Sequence, residues 1–388
     1  MKTKKWLIIS LMLIMNGFSL KPVFAASESV EEARISLAEK SIPDAIQTLD
    51  ELSRYFKNLW PKVSNFEDAV TLIDFYGNTL WSKAKSHISQ SNDFDDRSLY
   101  WQRLKLSRII RTLPPAFKIS ASERQVLLER LEKTSRGITD LAFRNKTHKR
   151  ILVTGFDPFL LDRHVNQSNP SGVVAMMLDG QIIEYQGITA EINAFMVPVR
   201  YGDFDQGLIE QTLAPFYALN NLDLIATISM GRKDFDLERF PGKRRSASAP
   251  GNLNIFSGGS KKQPVISKLY SAPLPGPEFV EFSLPVAAMV KAQGPFKIND
   301  NRQVTTLTKT FKPNSLAELA NEIAVEGGGG GYLSNEISYR SIRLRNELNS
   351  TIPTGHIHTP RISQFESDTN KAIVEQIIRM LELALPEL

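Results

Sequence analysis

Apolar residues fall into two rhythms along this chain, and the change comes at Lys149-Arg150. Before it they recur every three or four positions, the spacing of amphipathic helices. Such segments run over 30–38, 42–59, 66–86 and 95–113, punctuated by Pro43, Pro61 and Pro114-Pro115. Ser120-Ala121-Ser122-Glu123 has the form of a capping box and opens another helix, to about Ser135. Trp60, Trp81 and Trp101 are expected as core anchors of this helical region. After Arg150, short apolar runs at 151–156, 191–199, 222–230 and 352–358 alternate with helical patterns at 171–178, 204–219, 284–292 and 368–385. That alternation predicts an α/β domain, a mostly parallel twisted sheet with flanking helices, preceded by an all-α N-terminal region. The domains are expected at 26–148 and 149–388. Residues 239–282, rich in Gly, Pro and Ser, read as a long excursion, and 301–314 as an inserted hairpin or loop.

The first 25 residues read as a cleavable export signal. A basic start (Met1 to Lys5) leads into the apolar run Trp6 to Ile14, and Val23-Phe24-Ala25 is a small-residue cleavage pattern. The expected product is exported, periplasmic, and without stable membrane insertion once the signal is removed. Hydrophobic content of 42% and charged content of 23% fit a globular protein. The net charge of +5 is spread thinly. Its densest spots, Lys261-Lys262 and Lys243-Arg244-Arg245, are not interleaved with aromatic residues, so no nucleic-acid partner is expected. There is no cysteine, which excludes disulfides, thiolate metal sites and a thiol nucleophile.

Candidate chemistry centres on Gly327 to Tyr339, GGGGGYLSNEISY. A short apolar stretch at 319–325 precedes the five glycines, and an amphipathic segment at 335–348 follows Ser334. Glycine lets backbone N–H groups approach a ligand closely, and a helix start presents the positive end of its dipole. Two readings follow. Ser334 is either a helix N-cap behind a floppy glycine loop, or a nucleophile beside amides that stabilise an oxyanion. No lysine stands where a phosphate loop needs one. Gly155-Phe156, Met230-Gly231, Gly327 and His358 all fall at expected carboxyl ends of strands, where ligands gather in sheets of this kind.

Five pieces in order carry a resemblance. They are Gly155-Phe156-Asp157-Pro158-Phe159 with Asn169-Pro170-Ser171, Gly231-Arg232 with Leu237-Glu238-Arg239, Leu284 to Val290, Gly331 to Asn335, and Gly355 to Pro360. Together they resemble the pyroglutamyl peptidase I family, also called pyrrolidone-carboxylate peptidases, from about Lys149 to the C-terminus. The resemblance implies a hydrolase that removes N-terminal pyroglutamate from peptides without metal or cofactor. It implies His358 as general base, Glu238 as the carboxylate orienting it, and Ser334 at the nucleophile position, where the family has cysteine. It places Phe156 and Phe159 as apolar walls of the substrate pocket and assigns Asn169 and Arg232 to substrate binding. The expected partner is a peptide or small amide.

The chain departs from that pattern in ways that affect chemistry. A helix N-terminus and an imidazolium can generate a thiolate but cannot ionise a serine, which loses its proton to the base as it attacks. Thr227-Ile228-Ser229-Met230 stands where the family offers a glutamine to the lactam, and Phe240 to Arg245 replaces a short apolar run. His164 lies in a lengthened loop, and His356 replaces an apolar residue. His356 and His358 share one strand face, a spacing that also suits a metal, with Glu238 or His164 completing a zinc set. Each site residue has a plain structural reading as well: Glu238 beside Arg239 as a surface pair, His358 as a core histidine. Two functions remain open on the sequence, a serine-dependent peptidase or amidase and a catalytically inactive binding protein.

Overall fold

The computed structural model describes residues 27–388, so the export signal expected at 1–25 lies outside the described residues. The helical region is built as the apolar spacing predicts, with long helices at Phe66–Ser91, Arg97–Thr112 and Ala121–Ser135. Ser120 caps the last of these, and Glu123 returns the bond to the Ser120 amide. The predicted 42–59 helix is broken in two, Pro43–Gln47 and Asp50–Leu59, with Leu49 in the left-handed region between them. Trp60, Trp81 and Trp101 are all buried, as expected. Full burial of a large apolar side chain stabilises by about 1.5–3 kcal/mol. Trp60 and Trp81 also find acceptors for their indole N–H, on the Leu113 carbonyl and the Asp179 carboxylate. Among the described residues no helix is long and apolar enough to cross a membrane.

The second half carries a seven-stranded sheet. Its strands are β1 (Lys149–Phe156), β2 (Ile182–Tyr185), β3 (Ile188–Val197), β4 (Leu224–Met230), β5 (Phe235–Glu238), β6 (Ile298–Asn301) and β7 (Thr354–Thr359). Across the sheet the order is β6-β5-β7-β4-β1-β3-β2. The four central strands, β3, β1, β4 and β7, are parallel. β2 runs antiparallel to β3, and β5 and β6, parallel to each other, run antiparallel to β7.

Both faces are covered, which is why the central strands are apolar almost without interruption. Ile151, Val153, Ala226, Ile228, Leu237 and Ile357 face a core shared with the helices Pro170–Leu178 and Ser367–Ala384 and with the helical region. Leu152, Phe195 and Ile225 face the opposite layer, made by the helices Leu208–Leu219 and Leu333–Glu347. Side chains alternate along a strand. With Ile357 and Leu237 committed to the first core, His356, His358 and Glu238 turn toward the layer that contains Ser334.

Several expected elements differ. The predicted 204–219 helix is two, Tyr201–Asp205 and Leu208–Leu219, separated at Gly207, whose φ of 76° no β-branched or bulky residue adopts readily. The helix expected at 284–292 shortens to Val286–Met289. Asn301, expected to begin a hairpin or loop, instead ends strand β6 of the main sheet. The hairpin follows it, in a small separate sheet with Ala324–Glu326. The glycine run therefore follows a three-residue strand outside the main sheet, not the carboxyl end of a strand within it.

Candidate active site

His358 lies near the end of β7, in register with Ser229 of β4. Its Nδ1 is 2.6 Å from Oε1 of Glu238. Glu238 is 0% exposed and His358 7% exposed, so the pair is shielded from water. Burial raises the Glu238 carboxyl above its ordinary value, against the pull of His358. The surface pairing of Glu238 with Arg239 is overturned, because Arg239 turns the other way to Asp300 and Glu281. With Nδ1 facing a carboxylate, the neutral ring carries its proton there and presents Nε2 as a base.

Glu238's second oxygen accepts from Nδ2 of Asn301 at 2.9 Å. Asn301 is the in-register neighbour of Glu238 across β5 and β6. Nothing in the sequence pointed to it, because the pair is 63 residues apart and β6 is a short polar edge strand.

The glycine run is a tight turn, not a floppy loop. Gly327 and Gly330 bond to each other in both directions. A Cβ on Gly328 would lie 2.1 Å from Oε2 of Glu238, and one on Gly331 would lie 1.9 Å from Oγ of Ser246. These positions are glycine because the acid and the 246–256 loop already occupy the space. The Gly331 carbonyl accepts the amides of Ser246 and Ala247.

Ser334 is the second residue of the helix Leu333–Glu347, whose N-cap is Tyr332. The N-cap reading of Ser334 is thus excluded. No side chain caps this helix, so its first-turn amides are left to a ligand or to water. The start of the helix is firmly anchored. Asn335 accepts the Gly242 amide and donates to the Gly242 carbonyl, at 2.8 and 2.6 Å. Glu336 is clamped by Arg245 and Arg340, which hold its carboxyl below the ordinary value against the opposing effect of burial. The hydroxyl of Ser334 makes no hydrogen bond to His358 or to any other described side chain in this arrangement. The structure brings together the acid, the base and the turn leading to Ser334, and leaves the Ser334–His358 contact unmade.

His356 is fully buried and has a different role. Thr227 Oγ1 lies 2.8 Å from its Nδ1, and Ser229 Oγ lies 2.7 Å from its Nε2. Thr227 spends its proton on the Gly355 carbonyl, so it accepts from Nδ1–H and Nε2 accepts from Ser229. Both ring nitrogens are occupied by hydroxyls, and burial followed by the neighbouring His358 pushes the imidazole well below its ordinary value. His164, offered as a further metal ligand, is exposed on its loop. Among the described residues no three His, Asp or Glu side chains converge as a metal site would need.

A pH effect follows from His356. It stays neutral when folded and takes up a proton on unfolding once the pH falls below the ordinary histidine value, about 6.5. The unfolded state then binds more protons, so stability falls with pH by up to about 1.4 kcal/mol per unit. The pH dependence of unfolding free energy between pH 7 and 5 is expected to be shallower in His356→Asn than in the natural protein.

The residues expected to bind substrate divide. Phe159 is half-buried, with its ring 6.5 Å from that of Tyr332 just before Ser334. Phe156 is buried and stacks on Phe204 in the layer that includes Leu333 and Ile337. Arg232 is exposed, acts on the Glu238 carboxyl through its charge, and makes no ion pair among the described residues. Asn169 is buried and engaged in its own loop: its amide donates to the Asp157 carbonyl, and its oxygen accepts from the amide and hydroxyl of Ser171.

Sequence reasoning also missed the grip of the helical region on these loops. Asp157, fully buried, pairs with Arg103 at 3.0 Å and Arg136 at 2.7 Å. Arg34 bonds to Asp162 and to the Asn252 carbonyl, and Asp96 accepts from Ser168 and Asn169. These contacts span residues far apart in the chain, and no local pattern announces them.

Comparison with known proteins finds a domain model similar to each of the two regions. The family model described as PA0049, C-terminal domain, matches residues 150–274 and 296–363. The model described as PA0049 N-terminal domain matches residues 21–132. The two matches fall on either side of the change of pattern at Lys149-Arg150. An uncharacterized Pseudomonas aeruginosa protein, PA0049, is 26% identical over 395 residues, covering 78% of this chain and 71% of its own length. Solved structures of pyrrolidone carboxyl peptidase from Pyrococcus furiosus are also similar. A glutamate-to-valine mutant aligns with a TM-score of 0.41 at 23% identity, over 62% of this chain and 99% of its own. A structure reported together with a cysteine-free mutant aligns at 0.42 and 22%, over 61% and 99%. The segment matched by the C-terminal model holds Glu238, Asn301, Ser334 and His358, and the segment matched by the N-terminal model holds Arg34, Asp96 and Arg103.

Proposed function

We propose that this protein is an exported, serine-dependent hydrolase of pyroglutamyl-peptidase type. It removes pyroglutamate or a related blocked residue from the N-terminus of peptides. The observation that carries the reading is the buried hydrogen bond from His358 Nδ1 to the Glu238 carboxylate, on the sheet face turned toward the helix that begins beside Ser334.

The chemistry runs through this chain's own groups. Glu238 holds the Nδ1–H tautomer, leaving the Nε2 lone pair to take the Ser334 proton as Oγ attacks the acyl carbon. First-turn amides of the helix Leu333–Glu347 face the oxyanion that develops, in a site anchored before the reaction starts. His358 then gives its proton to the departing amine, and the acyl–Ser334 ester remains. Water, deprotonated by the same Nε2, cleaves that ester and returns Ser334 to its starting state. Phe159 and Tyr332 are the aromatic surface available to the acyl group.

A second reading, a catalytically inactive binding protein, is favoured by one observation: the Ser334 hydroxyl and the His358 ring are not hydrogen-bonded. Catalytic contacts are often loose without ligand and tighten around substrate. The deciding measurement is fluorophore release from a pyroglutamyl amide, compared with the same amide of an unblocked amino acid. Turnover confined to the blocked substrate supports the hydrolase. Saturable binding of the blocked amide without release supports the binding protein.

A further inference from the structure

We infer that Asn301 is a positioning residue that ties the Glu238 carboxylate to the glycine turn, so that acid, base and nucleophile helix are set as one unit. The inference rests on the reading of Glu238 and His358 as a working pair.

Three bonds fix the Asn301 side chain. Its oxygen accepts the Gln303 amide at 3.1 Å, which settles which end of the amide points inward. Its Nδ2 donates to Oε2 of Glu238 at 2.9 Å and to the Gly328 carbonyl at 3.2 Å. A side-chain amide has two such protons, and both are spent here. The two oxygens of Glu238 are thereby divided, one facing His358 and one facing Asn301. Among the described residues no lysine or arginine pairs with this buried carboxylate. The charged groups that act on it are His358 on β7, Asp236 on its own strand and Arg232 in the preceding turn. Asn301 is thus the neutral donor that keeps the carboxylate plane from rotating away from the imidazole.

The bond to Gly328 extends the effect. Gly328 donates its amide to the Phe240 carbonyl and touches Glu238 so closely that no Cβ fits. At the other end of the turn, Asn335 is fastened to Gly242 in both directions. The stretch carrying Ser334 is therefore held at two points, and Asn301 controls the one that also contacts the acid.

The test is an NMR titration of the His358 ring in the full chain, with kinetics on the pyroglutamyl amide in parallel. Asn301→Leu removes the donor that favours ionised Glu238, so less negative charge supports the imidazolium. Its His358 midpoint is expected to fall by about half a pH unit or more. Asn301→Asp places a second carboxylate in the same place, and the midpoint is expected to rise. Opposite shifts from two substitutions at one position are not what a general loss of packing produces. Both variants are expected to lower kcat more than they raise KM. A His358 midpoint unchanged or moved in the same direction in both would overturn the inference. Should Asn301→Leu not fold, the upward shift in Asn301→Asp, against no shift or a downward one, decides it. Opposite shifts in a protein that turns over no blocked amide would leave the positioning role standing and sink the hydrolase reading instead.

Discussion

Ser334→Ala is expected to lower kcat/KM on a pyroglutamyl amide by on the order of 10⁴- to 10⁶-fold while leaving the folded protein intact. The variant is clean because the Ser334 hydroxyl makes no hydrogen bond to a described side chain, so no buried partner is orphaned by its removal. His358→Ala is expected to cost a similar factor, and the double variant little more than either single one, since the two act in one proton transfer. It is less clean. Removing the ring leaves Glu238 buried without its partner, and a loss of stability of about 3–5 kcal/mol accompanies such an orphaned charge. Ser334→Cys gives a third reading that needs no substrate. The chain has no other cysteine, so alkylation by iodoacetamide reports that one thiol. At an uncapped helix start in the layer that His358 faces, its rate is expected to rise with pH at a midpoint below the free-thiol value of about 8.5. A midpoint at or above that value would show that Ser334 does not sense the helix amides and His358, and the proposed nucleophile would lose its support.

Asp157→Ala is expected to destabilise the protein by about 3–5 kcal/mol, read as a lower urea midpoint. Asp157 stands between Arg103 and Arg136, all three nearly inaccessible to water. Alanine there removes one negative charge and leaves two buried guanidinium groups to repel each other. Asp74→Ala is the control, because Asp74 pairs with Arg130 on the exposed surface of the helical domain. Pairs of that kind contribute about 0–1 kcal/mol. Equal small losses in both variants would mean that the helical region is not joined electrostatically to the Phe156–Phe159 loop.

Local pattern made some of this legible and geometry hid the rest. The Ser120 capping box and the apolar runs of β1, β4 and β7 depend on neighbours within a few residues, and they read correctly. β5 and β6 were missed because each has four residues and carries charged or polar side chains to the outer edge of the sheet. Motif order put Glu238, Ser334 and His358 forward as one set. Asn301, the hydroxyl partners of His356 and the arginines around Asp157 did not show in the sequence, since each meets its partner only after the chain has folded back over 21 to 129 residues. The loop bonds of Asn169 were hidden too, because a motif position says that a residue matters and not which way its amide faces.

The antiparallel placement of β5 against β7 makes this site vulnerable to changes in length. Sheet side chains alternate, so a one-residue slip of β5 would send Glu238 to the apolar face and bring Leu237 to the imidazole. The four residues Gly231 to Asp234 that lead into β5 therefore set its phase, and their number matters more than most of their identities. Across relatives, a gap or insertion in that short link marks a broken dyad even where glutamate and histidine are both retained.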